Sequence, residues 1–187
     1  DHKCAFCAIP TFRGTHRSRQ VQDIIAEAEQ LSSQGAVELN LVAQDLSYYG
    51  RDMGMENGLP SLLQELAKVD GVEWLRMQYT YPLGLTPELQ RVMAEEPKCV
   101  PYLDIPLQHG SDKVLKSMKR PGTSVKSLDK IAELRSNIPD LAIRTSIIVG
   151  FPTETEEDFE ILKEFIKEAR FEHLGVFTYS HEENTSG

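Results

Sequence analysis

This chain of 187 residues is predicted to adopt an α/β fold with parallel strands. Two observations carry the prediction. Short apolar, strand-like runs alternate with longer stretches whose apolar residues recur every three or four positions. Each strand-like run also ends in a polar cluster, followed by Gly or Pro, as repeated βα units require.

The first helical pattern places Val21, Ile24, Ile25, Ala28 and Leu31 on one stripe, with Ser18 as its expected cap and Gly35 as its stop. Ala36 to Ala43 reads as a strand, and Arg51 to Gly58 as a flexible loop. Pro60 is expected to open a helix that buries Leu62, Leu63, Leu66 and Val69 and stops at Gly71. Glu73 to Tyr79 is the second strand. Thr86, Pro87 and Glu88 follow as a cap, a first-turn Pro and an acid, so Leu89, Val92 and Met93 fall on a helix.

Val100 to Leu107 is the third strand. Beyond it Val114, Leu115 and Met118 lie on one side of a helix whose other side and end carry Lys113, Lys116, Lys119 and Arg120. Ser124 to Asn137 is a helix and Ala142 to Val149 a strand. After the turn Gly150 to Glu154, Thr155 and Asp158 have capping-box spacing. Phe159, Leu162, Phe165, Ile166 and Ala169 form the helix stripe, and His173 to Tyr179 the last strand. Partial barrels, closed eightfold barrels and doubly wound sheets all begin this way. The visible strands number about five, and a sixth is expected upstream of Asp1.

The chain can bury a sizeable core, and no apolar run is long enough to cross a bilayer. Its net charge of −9 speaks against a principal nucleic-acid clamp and suits a basic protein partner. Three cysteines, with one close pair, suit a reducing compartment and metal or redox chemistry, not a disulfide scaffold. A cytoplasmic location is expected.

The close pair, Cys4 and Cys7, sits in Asp1-His-Lys-Cys4-Ala-Phe-Cys7. Two thiolates at this spacing reach one metal or cluster from a tight loop. Zinc would need two more ligands, and His2, His16 and Cys99 offer no second pair. A redox dithiol would want a helix N-terminus, whereas a basic loop with a Pro and a Gly is expected after Cys7. Cys99 reads as an isolated thiol. At strand ends stand Gln44 and Asp45; Tyr79 and Tyr81; Asp104, Gln108, His109 and Ser111; Arg144; and Thr178 to Ser180. In parallel α/β folds that rim carries the site.

The cysteine segment resembles the tail of the radical S-adenosylmethionine signature, C-x₃-C-x-aromatic-C, with its first Cys directly before Asp1. Four further segments resemble the methylthiotransferases of that family: Cys7 to Gly14 with Ser18-Arg19, Pro101 to Ser111, Met118-Lys-Arg120, and Ile148 to Glu154. Val42-Ala-Gln-Asp45, Tyr49-Gly50, Tyr81-Pro82 and Phe177 to Glu183 resemble the branch that modifies an aspartate of ribosomal small-subunit protein S-twelve. The alternative is the branch that modifies a tRNA adenosine, and a rival of another class is a non-catalytic metal-binding α/β module.

The resemblance implies a partial (β/α)₆, TIM-like barrel whose first strand is missing here. Residues 1–187 would be the radical core domain, without the family's N-terminal methylthiotransferase domain and C-terminal TRAM-type domain, and would be inactive alone. It implies a [4Fe–4S] cluster held by three thiolates, Cys4 and Cys7 among them, with S-adenosylmethionine on the open iron. A second [4Fe–4S] cluster would lie in the N-terminal domain, and a flavodoxin or ferredoxin would supply electrons. By position, Phe6 would pack near the adenine and Gln44 would bond the methionine amino group. Arg144 would pair with its carboxylate. Asp104, Gln108 and Ser111 would reach the methionyl or ribose part, and the backbone from Val176 to Tyr179 would line the adenine. Tyr48, Tyr49, Tyr79 and Tyr81 would shape the target entrance.

Overall fold

The computed structural model describes residues 3–183 and 185–186. It divides into two compact units. One comprises Arg17–Ile105 and Leu134–Ala142; the other comprises Asp1–His16, Pro106–Glu133 and Ile143–Gly187 and carries the cysteine segment. The strands that pair do so in parallel, and no helix among the described residues is long and apolar enough to cross a membrane.

In the first unit, α2 (Val21–Ser33) leads to β1 (Glu38–Leu41), α3 (Gly58–Leu66), β2 (Trp74–Met77), α4 (Pro87–Glu95) and β3 (Tyr102–Asp104). The numbering counts a short α1 (Ile9–Arg13) in the other unit. β1 and β2 pair with Leu39 opposite Leu75. Leu75 also exchanges backbone hydrogen bonds with Lys98 and Val100. Leu62, Leu63, Leu66, Leu75, Leu89 and Leu103 are almost fully buried, so both helices put their apolar stripes into the core. The α4 start is as read: Thr86 Oγ1 accepts from the Leu89 N–H, with Pro87 in the first turn.

Several boundaries differ from expectation. Ser18 is not the cap of α2; its N–H and hydroxyl donate to Asp52, and it accepts from the Gly50 N–H. α3 begins at Gly58, two residues before Pro60. β3 is three residues long because Pro101 and Pro106, which carry no N–H, stand close to its ends. The stretch expected to be a flexible loop contains a 3₁₀ turn, Arg51–Met53, between left-handed Gly50 and Gly54. Tyr49 and Tyr81 are buried side chains, not entrance residues, and the Tyr49 hydroxyl donates to the Arg19 carbonyl. Tyr48 lies under the Arg51 guanidinium, and Tyr79 is exposed with a left-handed backbone.

In the second unit, α5 (Asp112–Ser117) and α6 (Ser124–Asn137) are followed by β4 (Ala142–Val149), α7 (Glu156–Ala169) and β5 (His173–Thr178). The last four residues of α6 and the first of β4 belong to the other unit. β4 and β5 pair from Arg144 opposite His173 to Val149 opposite Thr178. Burial alternates along β4: Ile143, Thr145 and Ile147 are buried, while Arg144, Ser146 and Ile148 are only half-buried on the opposite face. The capping box at Thr155 forms as read. The segment after Cys7, expected to be a basic loop, is α1, with Pro10 near its start.

A β-carbon added at Gly58 would meet the Tyr49 carbonyl oxygen at 2.5 Å, whereas Gly54 has open space around it and only a left-handed φ of 73°. Gly58→Ala should therefore lose on the order of 1–3 kcal/mol through a clash that backbone cannot relieve. Gly54→Ala should lose about 1 kcal/mol through strain alone. Urea midpoints of the two variants check the ranking, and equal losses would contradict it.

Candidate functional site: a cysteine turn on a parallel-sheet rim

The cysteine segment is a tight turn closed by the Cys7 N–H donating to the Cys4 carbonyl at 3.2 Å. Both thiols are free and half-buried. Between them Ala5 is buried and tied on both sides: its N–H donates to the Met118 carbonyl (2.9 Å) and its carbonyl accepts from the Ser186 N–H (3.0 Å). Ala5 packs with Val114, Met118 and Phe151, and Phe6, Ile148 and Tyr179 cover the same cluster. The turn is thus fixed to the end of α5, to the end of β4 and to the Gly150-Phe151 turn. Cys4 forms part of the wall of an open cleft of 790 Å³, with Lys3, Lys116, Lys119 and Arg120 against the single carboxylate of Asp112. Asp112 in turn caps α6 by accepting from the Ser124 N–H.

Gln108 sits where β4 is met by the chain leaving Leu107. Its N–H donates to Ser146 and its carbonyl accepts from Ile148. Its φ of 77° is left-handed, a conformation costing on the order of 1–2 kcal/mol for a residue with a side chain. That turn leads into His109-Gly110-Ser111. A β-carbon at Gly110 would stand 2.6 Å from Phe165 Cβ, so only glycine lets α7 approach. His109 is buried; its Nδ1 accepts from the Ser111 N–H, which leaves the proton on Nε2, 3.5 Å from Glu154 Oε1. Burial holds the imidazole pKa below its usual value, although Glu154 opposes the shift. Glu154 also accepts from the Gly150 and Phe151 N–H groups. The segments ending at Ser111 and at Glu154, separate in sequence, are one structure.

Asp158 completes it. Its carboxylate accepts from Lys113 Nζ (2.7 Å), Ser111 Oγ (2.7 Å), Thr155 Oγ1 (2.7 Å) and the Thr155 N–H (3.0 Å). The Lys113 bond, then those from Ser111 and Thr155, hold its pKa far below the ordinary carboxylate range. The hydroxyl of Ser111, expected to reach a ligand, is committed to this carboxylate.

Of the other expected ligand residues, Cys4, Cys7, Phe6, Gln108, Arg144 and Val176 lie in this unit. Gln44, exposed, and Asp104, buried, lie in the other. Arg144 Nη1 stands 3.5 Å from Ser146 Oγ. In the β4–β5 register Ser146 lies opposite Gly175 and Ile148 opposite Phe177. These residues therefore share Arg144's side of the sheet, the side on which Ile148 meets the cysteine-turn cluster. Val176 carries its side chain to the other side, where it is half-exposed. Ser146 and Gly175 were not singled out in the sequence, and Phe177 was read for its backbone, not its side chain; the period-two pattern Arg144-x-Ser146-x-Ile148 was the available signal for Ser146. Arg120, read as one of a row of cations and as part of the Met118-Lys-Arg120 segment but given no role, touches Cys4 Sγ at 3.6 Å.

Among the described residues no group of three or more His, Cys, Asp and Glu is placed to hold a metal ion, and His2 lies outside those residues. Cys4 and Cys7 fit two positions of a thiolate-ligated cluster: two unpaired thiols in one closed turn, beside a basic cleft.

Residues 1–166, which include the paired-cysteine turn, match the Radical SAM superfamily. The chain belongs to that superfamily. It is similar to proteins named ribosomal protein uS12 methylthiotransferase RimO. One from Christiangramia forsetii is 52% identical over 185 residues, covering 99% of this chain and 41% of that protein. One from Myxococcus xanthus is 55% identical over 186 residues, covering 100% and 39%. The chain spans about two fifths of the length of these relatives. Among solved structures it resembles the radical S-adenosylmethionine methyltransferase TsrM from Kitasatospora setae, with a TM-score of 0.74 at 16% identity, covering 94% of this chain and 34% of that one. It also resembles coproporphyrinogen III oxidase HemN from Escherichia coli, with a TM-score of 0.64 at 18% identity, covering 97% and 42%. The fold expected from the sequence is thereby found.

Because the folded-state pKa of Asp158 is depressed, its stabilisation is fully present above the unfolded-state value near ~4 and is lost as pH falls toward the folded-state value. Asp158→Asn should lower the urea midpoint at pH 7, and its deficit against wild type should shrink below about pH 4. A deficit that stays constant down to pH 2 would contradict the role given to the charged carboxylate.

Proposed function

We propose that this chain is the radical core domain of a methylthiotransferase acting on an aspartate of ribosomal protein uS12. The observation that carries the reading is the Cys4–Cys7 turn, closed on itself and packed against α5 and the end of β4. Identity above 50% along the whole chain to proteins named for that activity supports the substrate. Neither the residues nor the relatives favour the tRNA alternative.

Cys4 and Cys7 are two of the thiolates that hold a [4Fe–4S] cluster. A cluster held there would supply one-electron reduction of bound S-adenosylmethionine. The chain's own contribution is to bind, orient and exclude water. Arg144 offers a cation to the methionine carboxylate. Gly175 leaves room beside it, because a β-carbon there would stand 3.6 Å from Arg144 Nη2. Phe6 and Phe177 supply apolar surface near the adenine, and the Val176 to Tyr179 backbone offers hydrogen-bonding groups along the strand. Gln108 presents its side chain from a strained, fixed turn. In this reading the full-length protein is cytoplasmic, holds a second cluster in an N-terminal domain and receives electrons from a flavodoxin or ferredoxin.

Anaerobic reconstitution of the full-length protein tests the reading. Wild type should become brown, cleave S-adenosylmethionine on reduction and add a methylthio mass to uS12 but not to tRNA. Cys4→Ala and Cys7→Ala should each lose S-adenosylmethionine cleavage at least 100-fold, as expected when the reacting group is lost. Mass addition to tRNA instead would move the chain to the other branch. A colourless zinc protein would reduce it to a binding module.

A further inference from the structure

We propose that Arg120 is a positioning residue for the cluster, which donates a charged hydrogen bond to the Cys4 sulfur and thereby raises the reduction potential of the cluster held there. The proposal rests on the reading of Cys4 as a cluster ligand.

Arg120 is placed by backbone geometry. α5 ends at Ser117, and Lys119 takes a left-handed φ of 55°. The Arg120 N–H then turns back to the Leu115 carbonyl at 2.9 Å. This reversal carries the side chain toward the cysteine turn, which is already bound to the same helix end through Ala5 and Met118. One arm of the guanidinium donates to the Pro106 carbonyl and the other stands 3.6 Å from Cys4 Sγ. A planar fork with two separate donors suits both contacts at once. The ammonium of a lysine would meet one of them. The adjacent Lys119 donates to Ser186 Oγ and, among the described residues, makes no hydrogen bond to the Cys4 sulfur.

Arginine stays protonated at every relevant pH, so the contact is a fixed positive charge on a ligand sulfur. Hydrogen bonds to cluster sulfurs, and the net charge around them, are principal determinants of iron–sulfur potential. A cation there favours the reduced form, which carries one more negative charge, so removing it makes reduction harder. The effect needs no movement of the chain and no contact between Arg120 and S-adenosylmethionine.

The test is a reductive titration of the anaerobically reconstituted full-length protein, followed by electron paramagnetic resonance. The signal to follow is the reduced-cluster signal that S-adenosylmethionine perturbs, which separates this cluster from any other. Arg120→Gln should keep that signal and shift its midpoint to lower potential. Arg120→Lys should fall between Arg120→Gln and wild type. Lys163→Gln makes the same change of net charge on the face of α7, where Lys163 pairs with Glu160, and should leave the midpoint in place. An unmoved midpoint in Arg120→Gln, or an equal shift in Lys163→Gln, overturns the proposal. If Arg120→Gln binds no iron, Arg120→Lys decides, and a wild-type midpoint there overturns the proposal. Absence of any signal responsive to S-adenosylmethionine in wild type removes the cluster reading and the proposal with it. A normal signal with an unmoved midpoint removes only the proposal.

Discussion

Asp158 draws hydrogen bonds from residues at the starts of two helices: Ser111 and Lys113 at α5, and Thr155 at α7. A carboxylate at helix N-terminal turns is favoured by their exposed N–H groups and dipoles. Here one carboxylate serves both, and so sets where α5 starts relative to α7. The far end of α5 carries Met118 and Arg120, and these hold the cysteine turn. The position of Cys4 therefore depends on a side chain 154 residues away in sequence, through a helix of six residues.

Around that link the other features find their reasons. Gly110 is bare so that α7 can close on the segment before α5. Burial holds the His109 pKa below its usual value; the Ser111 N–H orients the ring through Nδ1, and Glu154 Oε1 stands 3.5 Å from Nε2. Glu154 collects the N–H groups of Gly150 and Phe151, and Phe151 then packs under Ala5 and edge-on to Tyr179 at 5.1 Å. The side of the sheet with Arg144, Ser146 and Gly175 is thus brought beside the thiols by buried contacts. That arrangement suits a site that must stay fixed while it handles a reactive ligand.

The sequence was most informative where local rules decide the outcome. α6 and β4 lie at the residues read for them, and the caps at Thr86 and Thr155 form as spacing implies. It was least informative where distant partners decide. Ser18 has the look of a cap, but Asp52, 34 residues on, claims it. Arg51 to Gly58 reads as loose because it is rich in glycine, yet Gly58 is packed hard against the Tyr49 carbonyl. β1 and β2 were read too long because the strand-like pattern runs on past the paired residues. Of the candidate site, the cysteines, Arg144 and Gln108 were singled out by type and position, and the structure places them in one unit. Ser111 was legible as important and wrong as to partner, since nothing local announces Asp158. The Arg120 contact with Cys4, across 116 residues, left no local trace.

Amide hydrogen exchange in wild type and Asp158→Ala tests the central dependence most directly. The account predicts faster exchange not only at residues 155–160 but also across residues 111–118 and at Ala5, whose N–H is bonded to Met118. The β1 and β2 amides, which belong to the other unit, should keep their protection. Faster exchange confined to the first turn of α7, with Ala5 as protected as in wild type, would show that the cysteine turn holds its place without Asp158.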